Sequence, residues 1–159
     1  MKKNALLLLV GLLVSATAHS QEIQDLVEWN EFYELSWDDF QATATPETFG
    51  DAGTAVQIKA KPYLVGKEIH YDVKAYFNRK KSWARDRSPS LLSHERLHFD
   101  IAELYARKIR KKIRALAGQG NNDPAVYNEA IKKLLMESNH EDERYDKETL
   151  HGALQERQR

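Results

Sequence analysis

The hydrophobic pattern of this chain changes period at Ser88-Pro89, and that change constrains the fold more than any other feature. Before it, Val56, Ile58 and Ala60 alternate with polar residues, as a half-buried strand requires. After Gly66, Ile69, Tyr71, Val73, Ala75 and Phe77 share one face while His70, Asp72, Lys74 and Tyr76 share the other. Two such runs around Gly66 predict an antiparallel hairpin, with Pro62 ending the first strand or confining it to an edge. From Ser88 onward the period is helical. Ser88 can cap a helix with Pro89 at its first position, and the pattern holds to about Ala117, before Gly118. Asp123-Pro124 repeats that start for a second helix through Val126, Ala130, Ile131, Leu134 and Leu135. Its end is open between Ser138 and Tyr145. Upstream, Trp29, Phe32, Leu35, Trp37 and Phe40 are expected anchors, followed by a turn-rich loop from Thr45 to Gly53. The fold class is therefore α+β: N-terminal antiparallel strands, then two long helices.

The 159 residues suffice for one domain with one core. Lys2 and Lys3 precede an unbroken apolar run from Ala5 to Val14, and small residues follow at Ser15, Ala16, Ala18 and Ser20. This order is that of a signal peptide, and the run is shorter than the roughly 20 residues that span a bilayer. Residues 1–20 are thus expected to be cleaved, after Ala18 or Ser20, leaving 21–159 as a single secreted or periplasmic domain with no integral membrane segment. Without Lys2 and Lys3 the balance is 22 basic against 24 acidic residues, which provides no global field for a polyanion. The chain has no cysteine, so disulfides, thiolate nucleophiles and Cys-ligated metal sites are excluded. Metal or nucleophilic chemistry has to come from His, carboxylates and hydroxyls.

Such residues occur together on the first long helix, where His94-Glu95-Arg96-Leu97-His98 forms an HExxH pattern. Histidines four apart lie about 40° apart around a helix and one turn along it, so both rings can reach one ion. Glu95 lies about 100° from His94, beside the ion, where a carboxylate can take a proton from water. With His94 at the centre, Leu91, Leu97, His98, Ile101, Ala102, Leu104, Tyr105 and Ile109 form an apolar stripe. Arg96, Asp100, Glu103, Arg107, Arg110 and Arg114 lie opposite. Adjacent buried imidazoles are costly unless something binds them. One Zn²⁺ suits them, with a third protein ligand and an open fourth position. The chain continues Phe99-Asp100-Ile101-Ala102-Glu103, without the Gly and His of the metzincin continuation, so the third ligand comes from elsewhere.

An antiparallel second helix retraces the first at about 1.5 Å per residue. Eighteen residues separate His98 from Leu116, and eighteen beyond Pro124 is Asp142. The metal level is revisited between His140 and His151, a stretch containing His140, Glu141, Asp142, Glu143, Tyr145, Asp146, Glu148 and His151. Distance alone does not choose among these.

Trp37-Asp38-Asp39-Phe40, Ser82-Trp83, the run from Leu91 to Ala102, and Tyr145-Asp146-Lys147-Glu148-Thr149-Leu150-His151-Gly152 together resemble a bacterial family of predicted secreted zinc-dependent proteases. The resemblance spans Trp37 to Gly152. It implies a zincin-like domain in which His94 and His98 bind zinc, Glu95 is catalytic and the Tyr145–Gly152 segment belongs to the site. Within that segment His151 is the expected third ligand, with Asp146 next, and Tyr145 is expected to stabilise an oxyanion. The implied activity is zinc-dependent hydrolysis of peptide bonds in a peptide or protein substrate. The rival expectation is a secreted binding protein whose zinc, or unligated histidine pair, only locks two helices together. Six basic residues lie between Arg107 and Arg114. They are read as cations complementing a helix C-terminus, so no nucleic-acid partner is expected. Glu103 with Arg107 is read as a structural pair, and Asp100 as a helix anchor.

Overall fold

The computed structural model describes residues 25–154; the expected signal segment lies outside them. Strand β1 (Leu26–Glu28) leads to a single 3₁₀ turn, Trp37–Asp39. Short β2 (Ala52–Gly53) is followed by the long hairpin β3 (Val56–Val65) and β4 (Glu68–Asn78), and then by short β5 (Trp83–Ala84). Helices α1 (Pro89–Gly118) and α2 (Pro124–Thr149) complete the order. The fold is α+β as expected, with antiparallel strands first and two long helices after.

The hairpin register runs from Val56↔Phe77 to Val65↔Glu68, leaving a two-residue turn at Gly66-Lys67. Gly66 has φ +63°, a conformation that costs a residue without Cβ nothing. The larger sheet has the order β1-β4-β3. Pro62 therefore lies on an edge strand, where its missing N–H deprives no neighbour. Central β4 buries Val73, Ala75 and Phe77, the face its alternation selected. These side chains pack with Phe40, Phe99, Ala102, Ala106, Ile109, Tyr127 and Ile131 in the core.

Both helices begin as their caps dictate. Ser88 Oγ accepts from Leu91 N at 3.4 Å, and Asp123 Oδ1 accepts from Ala125 N at 2.9 Å. The second helix passes beyond Tyr145 to Thr149. No helix breaker intervenes in that stretch, and Glu141–Arg144, Arg144–Glu148 and Glu143–Lys147 pairs line its exposed side.

The outer face of α1 is less open than helical phase suggested. Trp29 Nε1 donates to Asp100 Oδ1 at 2.8 Å, and Arg96 Nε donates to the Leu35 carbonyl at 2.8 Å. Arg107 lies over the Trp29 ring. Under this N-terminal cover Glu103 is only 7 % exposed, bonded to Arg107 at 2.8 Å and Arg110 at 2.5 Å. Conversely Leu104, placed at the rim of the expected apolar stripe, is 47 % exposed. No other element among the described residues covers that rim position.

The Trp37–Phe40 segment is structural. Buried Asp39 accepts from the Tyr33 hydroxyl at 2.6 Å, Ser36 N at 2.9 Å and Arg79 Nε at 3.0 Å. Burial opposes its charge, but these donors outweigh burial and hold its carboxyl below the ordinary range. A group so shifted contributes stability that is present at neutral pH and lost as pH falls through its lowered value. Asp39→Ala is expected to cost about 2–3 kcal/mol in denaturant unfolding and to remove that part of the acid dependence.

Candidate metal centre

His94 and His98 face α2 near the start of α1, Glu95 lies beside Thr54, and all three are buried. The antiparallel register brings Asp142 to His98 and Asp146 to His94, within the stretch that the rise per residue marked out. Asp146 Oδ1 lies 3.1 Å from His94 Nε2 and 3.1 Å from His98 Nε2, and the two Nε2 atoms are 3.2 Å apart. Three potential ligand atoms thus form a nearly equilateral triangle.

The outer nitrogens decide what these atoms can do. His98 Nδ1 donates to Asp142 Oδ1 at 2.6 Å, which leaves Nε2 with a lone pair. Thr149 Oγ1 donates its hydrogen to the Tyr145 carbonyl at 2.7 Å and so faces His94 Nδ1, at 3.4 Å, with a lone pair. His94 Nδ1 accordingly carries its proton, and Nε2 again points a lone pair at Asp146. While both rings are neutral, three acceptors meet with no donor among them, in a place where desolvation makes repulsion costly. Either a proton on His98 or a bound metal ion relieves it.

The same demand appears in the protonation equilibria of the metal-free chain. Burial opposes charge on His98, yet Asp142 and Asp146 outweigh it and raise its pKa to about 10. Burial likewise opposes charge on Asp146, and its contacts with His94 and His98 push its pKa well below the carboxylate range. His94, His98 and Asp146 form a group that could hold a metal ion. Tetrahedral zinc with bonds of about 2.0–2.1 Å needs ligand atoms about 3.3–3.4 Å apart, so the observed triangle is within a few tenths of an ångström of that requirement.

The sequence placed His151 ahead of Asp146 as third ligand; the structure brings Asp146 into the triangle instead. Helix α2 ends at Thr149, and the chain turns through Leu150 (φ +51°), His151 (φ +52°) and Gly152 (φ +86°). This turn carries the half-exposed His151 ring outward against Phe49, with Nδ1 3.4 Å from the other Asp146 oxygen. Gly152 is required on the inner side. A Cβ there would lie 3.1 Å from His94 Cγ and 3.1 Å from Leu91 Cδ1, so backbone rather than side chain supports the His94 ring.

Glu95 and Tyr145 complete the group. Burial raises the Glu95 pKa, partly offset by Thr54, His98 and His94, and its Oε2 has no hydrogen-bond partner among the described residues. The Tyr145 ring stacks on His94 at 4.7 Å between centroids and meets His98 edge-on at 5.2 Å. Its buried hydroxyl also lacks a partner among the described residues. Burial, reinforced by Glu95 and Asp146, raises its pKa, so it remains a donor at neutral pH.

The roles of Asp142 and Thr149 as partners of the outer histidine nitrogens were not assigned from sequence. A signal was available in Asp142 and Asp146, four apart, mirroring His94 and His98 on the facing helix. Carboxylates that fix a ligand histidine strengthen metal affinity. Asp142→Ala is expected to weaken zinc binding about 10–100-fold, measured by competition with a chromophoric chelator, without changing the ion-to-chain ratio at saturation.

No curated protein and no solved structure matches the chain. A family model matches residues 67–152, from the hairpin turn to the glycine beneath His94. The match includes the whole metal group and its supporting residues, and the chain belongs to the family described as bacterial protein of unknown function (DUF922).

Proposed function

We propose that the protein is a secreted zinc-dependent peptidase. The observation that carries this reading is the meeting of two buried histidine nitrogens and an oxygen of the partly exposed Asp146 beside a buried carboxylate oxygen that has no partner among the described residues. His94, His98 and Asp146 would hold the ion, while Asp142 and Thr149 fix the two rings. Three protein ligands leave the open position that separates catalytic from structural zinc. Zinc, when bound, supplies Lewis acidity toward water and a substrate carbonyl. Glu95, with its raised pKa and free oxygen, takes the proton from the attacking water and delivers it to the leaving amine. Tyr145 donates its hydroxyl hydrogen to the developing oxyanion. Secretion rests on the charged, apolar and small-residue order of the first twenty residues. Among residues 25–154 no helix is long and apolar enough to cross a membrane.

One observation favours a second reading, in which the ion only locks α1 to α2: His94 is 1 % and Glu95 3 % exposed. Incubation of the zinc-loaded chain with an unfolded protein substrate separates the two. The peptidase reading expects new amino termini, abolished by a chelator and restored by zinc. Full zinc occupancy with no cleavage of any peptide would leave the lock.

A further inference from the structure

The end of the molecule opposite the metal group carries an apolar projection. Every residue from Lys61 to Glu68 is exposed, and Tyr63, Leu64 and Val65 are 51, 71 and 56 % exposed. This tip is fully paired, with Tyr63↔His70, Leu64↔Ile69 and Val65↔Glu68 in register up to its two-residue turn. It is also anchored: Asn122, in the α1–α2 loop, accepts from Ile69 N at 2.9 Å and donates to the Lys67 carbonyl at 2.7 Å. The core does not extend this far, so Leu64, on the same sheet face as Val73 and Phe77, packs against nothing comparable. Tyr63 and Val65 project from one face of the tip and Leu64 from the other, and a rigid hairpin end apolar on both faces suits insertion into an interface.

Charge identifies the occupant. Lys61 and Lys67 bracket the tip, and neither ammonium group has an ion-pair or hydrogen-bond partner among the described residues. Lys111, Lys112 and Arg114, in the last turns of α1 and within about 10 Å of its end, are equally unpartnered there. Nearby acids number four against these five cations: Glu68 faces His70 at 3.7 Å, Asp72 lies opposite Lys61, Asp123 caps α2, and Glu129 lies in the second turn of α2. We propose that this end docks on an anionic lipid bilayer, with Tyr63, Leu64 and Val65 entering the headgroup boundary and the lysines facing lipid phosphates. Docked in this way, the chain presents its metal group away from the membrane. The inference is independent of the peptidase reading.

The chain lacks cysteine, so Leu64→Cys carries a single environment-sensitive fluorophore at the tip, and Lys147→Cys carries it at the far end of α2. With vesicles of equal parts phosphatidylglycerol and phosphatidylcholine, the label at position 64 is expected to shift to the blue and the label at 147 to stay unchanged. Pure phosphatidylcholine should give little response. Each lysine near an anionic surface is worth about a fivefold gain in partitioning, so adding Lys61→Gln and Lys67→Gln should weaken the response about thirtyfold. No shift at position 64 with anionic vesicles, equal shifts at both positions, or a shift insensitive to loss of the two lysines would each overturn the proposal.

Discussion

Glu95→Gln is expected to keep its zinc and to lose about 10²–10⁴-fold in peptide hydrolysis. The substitution preserves shape and burial while removing the carboxylate's capacity to exchange a proton. Two features of the site make the loss large. Glu95 Oε2 has no hydrogen-bond partner among the described residues, and burial raises its pKa toward the working range. A base must be ionised to act, so wild-type activity should rise with pH through the Glu95 value, along an acid limb. The variant should lack that limb. Measuring kcat/KM against pH for both proteins at full zinc occupancy checks both points, and equal rates would remove Glu95 from the chemistry.

Removal of a bound ion from this group is expected to have the second large effect. Without it, the two Nε2 atoms and Asp146 Oδ1 face one another at 3.1–3.2 Å, and a proton on His98 is a poor substitute for a divalent charge. An ion present at a hundred times its dissociation constant contributes about 2.7 kcal/mol. For a chain of this size that is about 5–10 °C in Tm. Chelation of the wild type should lower Tm by that amount, and zinc should restore it. His98→Ala should begin at or below the chelated value and respond to neither reagent.

The contrast between strands and helices explains what could be read in advance. Alternation at Ile69–Phe77 and the two cap-then-proline starts are local signals, since each depends on residues within a few positions, and each was legible. The antiparallel rise located the metal level to within one stretch, because helix geometry is invariant even when packing is unknown. Choosing Asp146 over His151 needed information of another kind. The choice depends on where α2 stops and on the left-handed turn that follows, and charged residues without a breaker before Gly152 gave no local mark of that stop. Similarly, helical phase places Glu103 opposite the apolar stripe, paired with Arg107, while its burial comes from the distant segment around Trp29. Asp39 and Ser82 were visible only as parts of a resemblance. In the structure they tie loops: Ser82 Oγ accepts from Ala55 N and donates to the Asn78 carbonyl.

Titration of zinc into the metal-free full chain by calorimetry, beside the same titration of Asp146→Ala, bears most directly on the central claim. One ion per chain is expected for the wild type, with release of the His98 proton, and a loss of tight binding for the variant. Absence of binding by the wild type, or equal affinity in the variant, would contradict the assignment of His94, His98 and Asp146 as a metal centre.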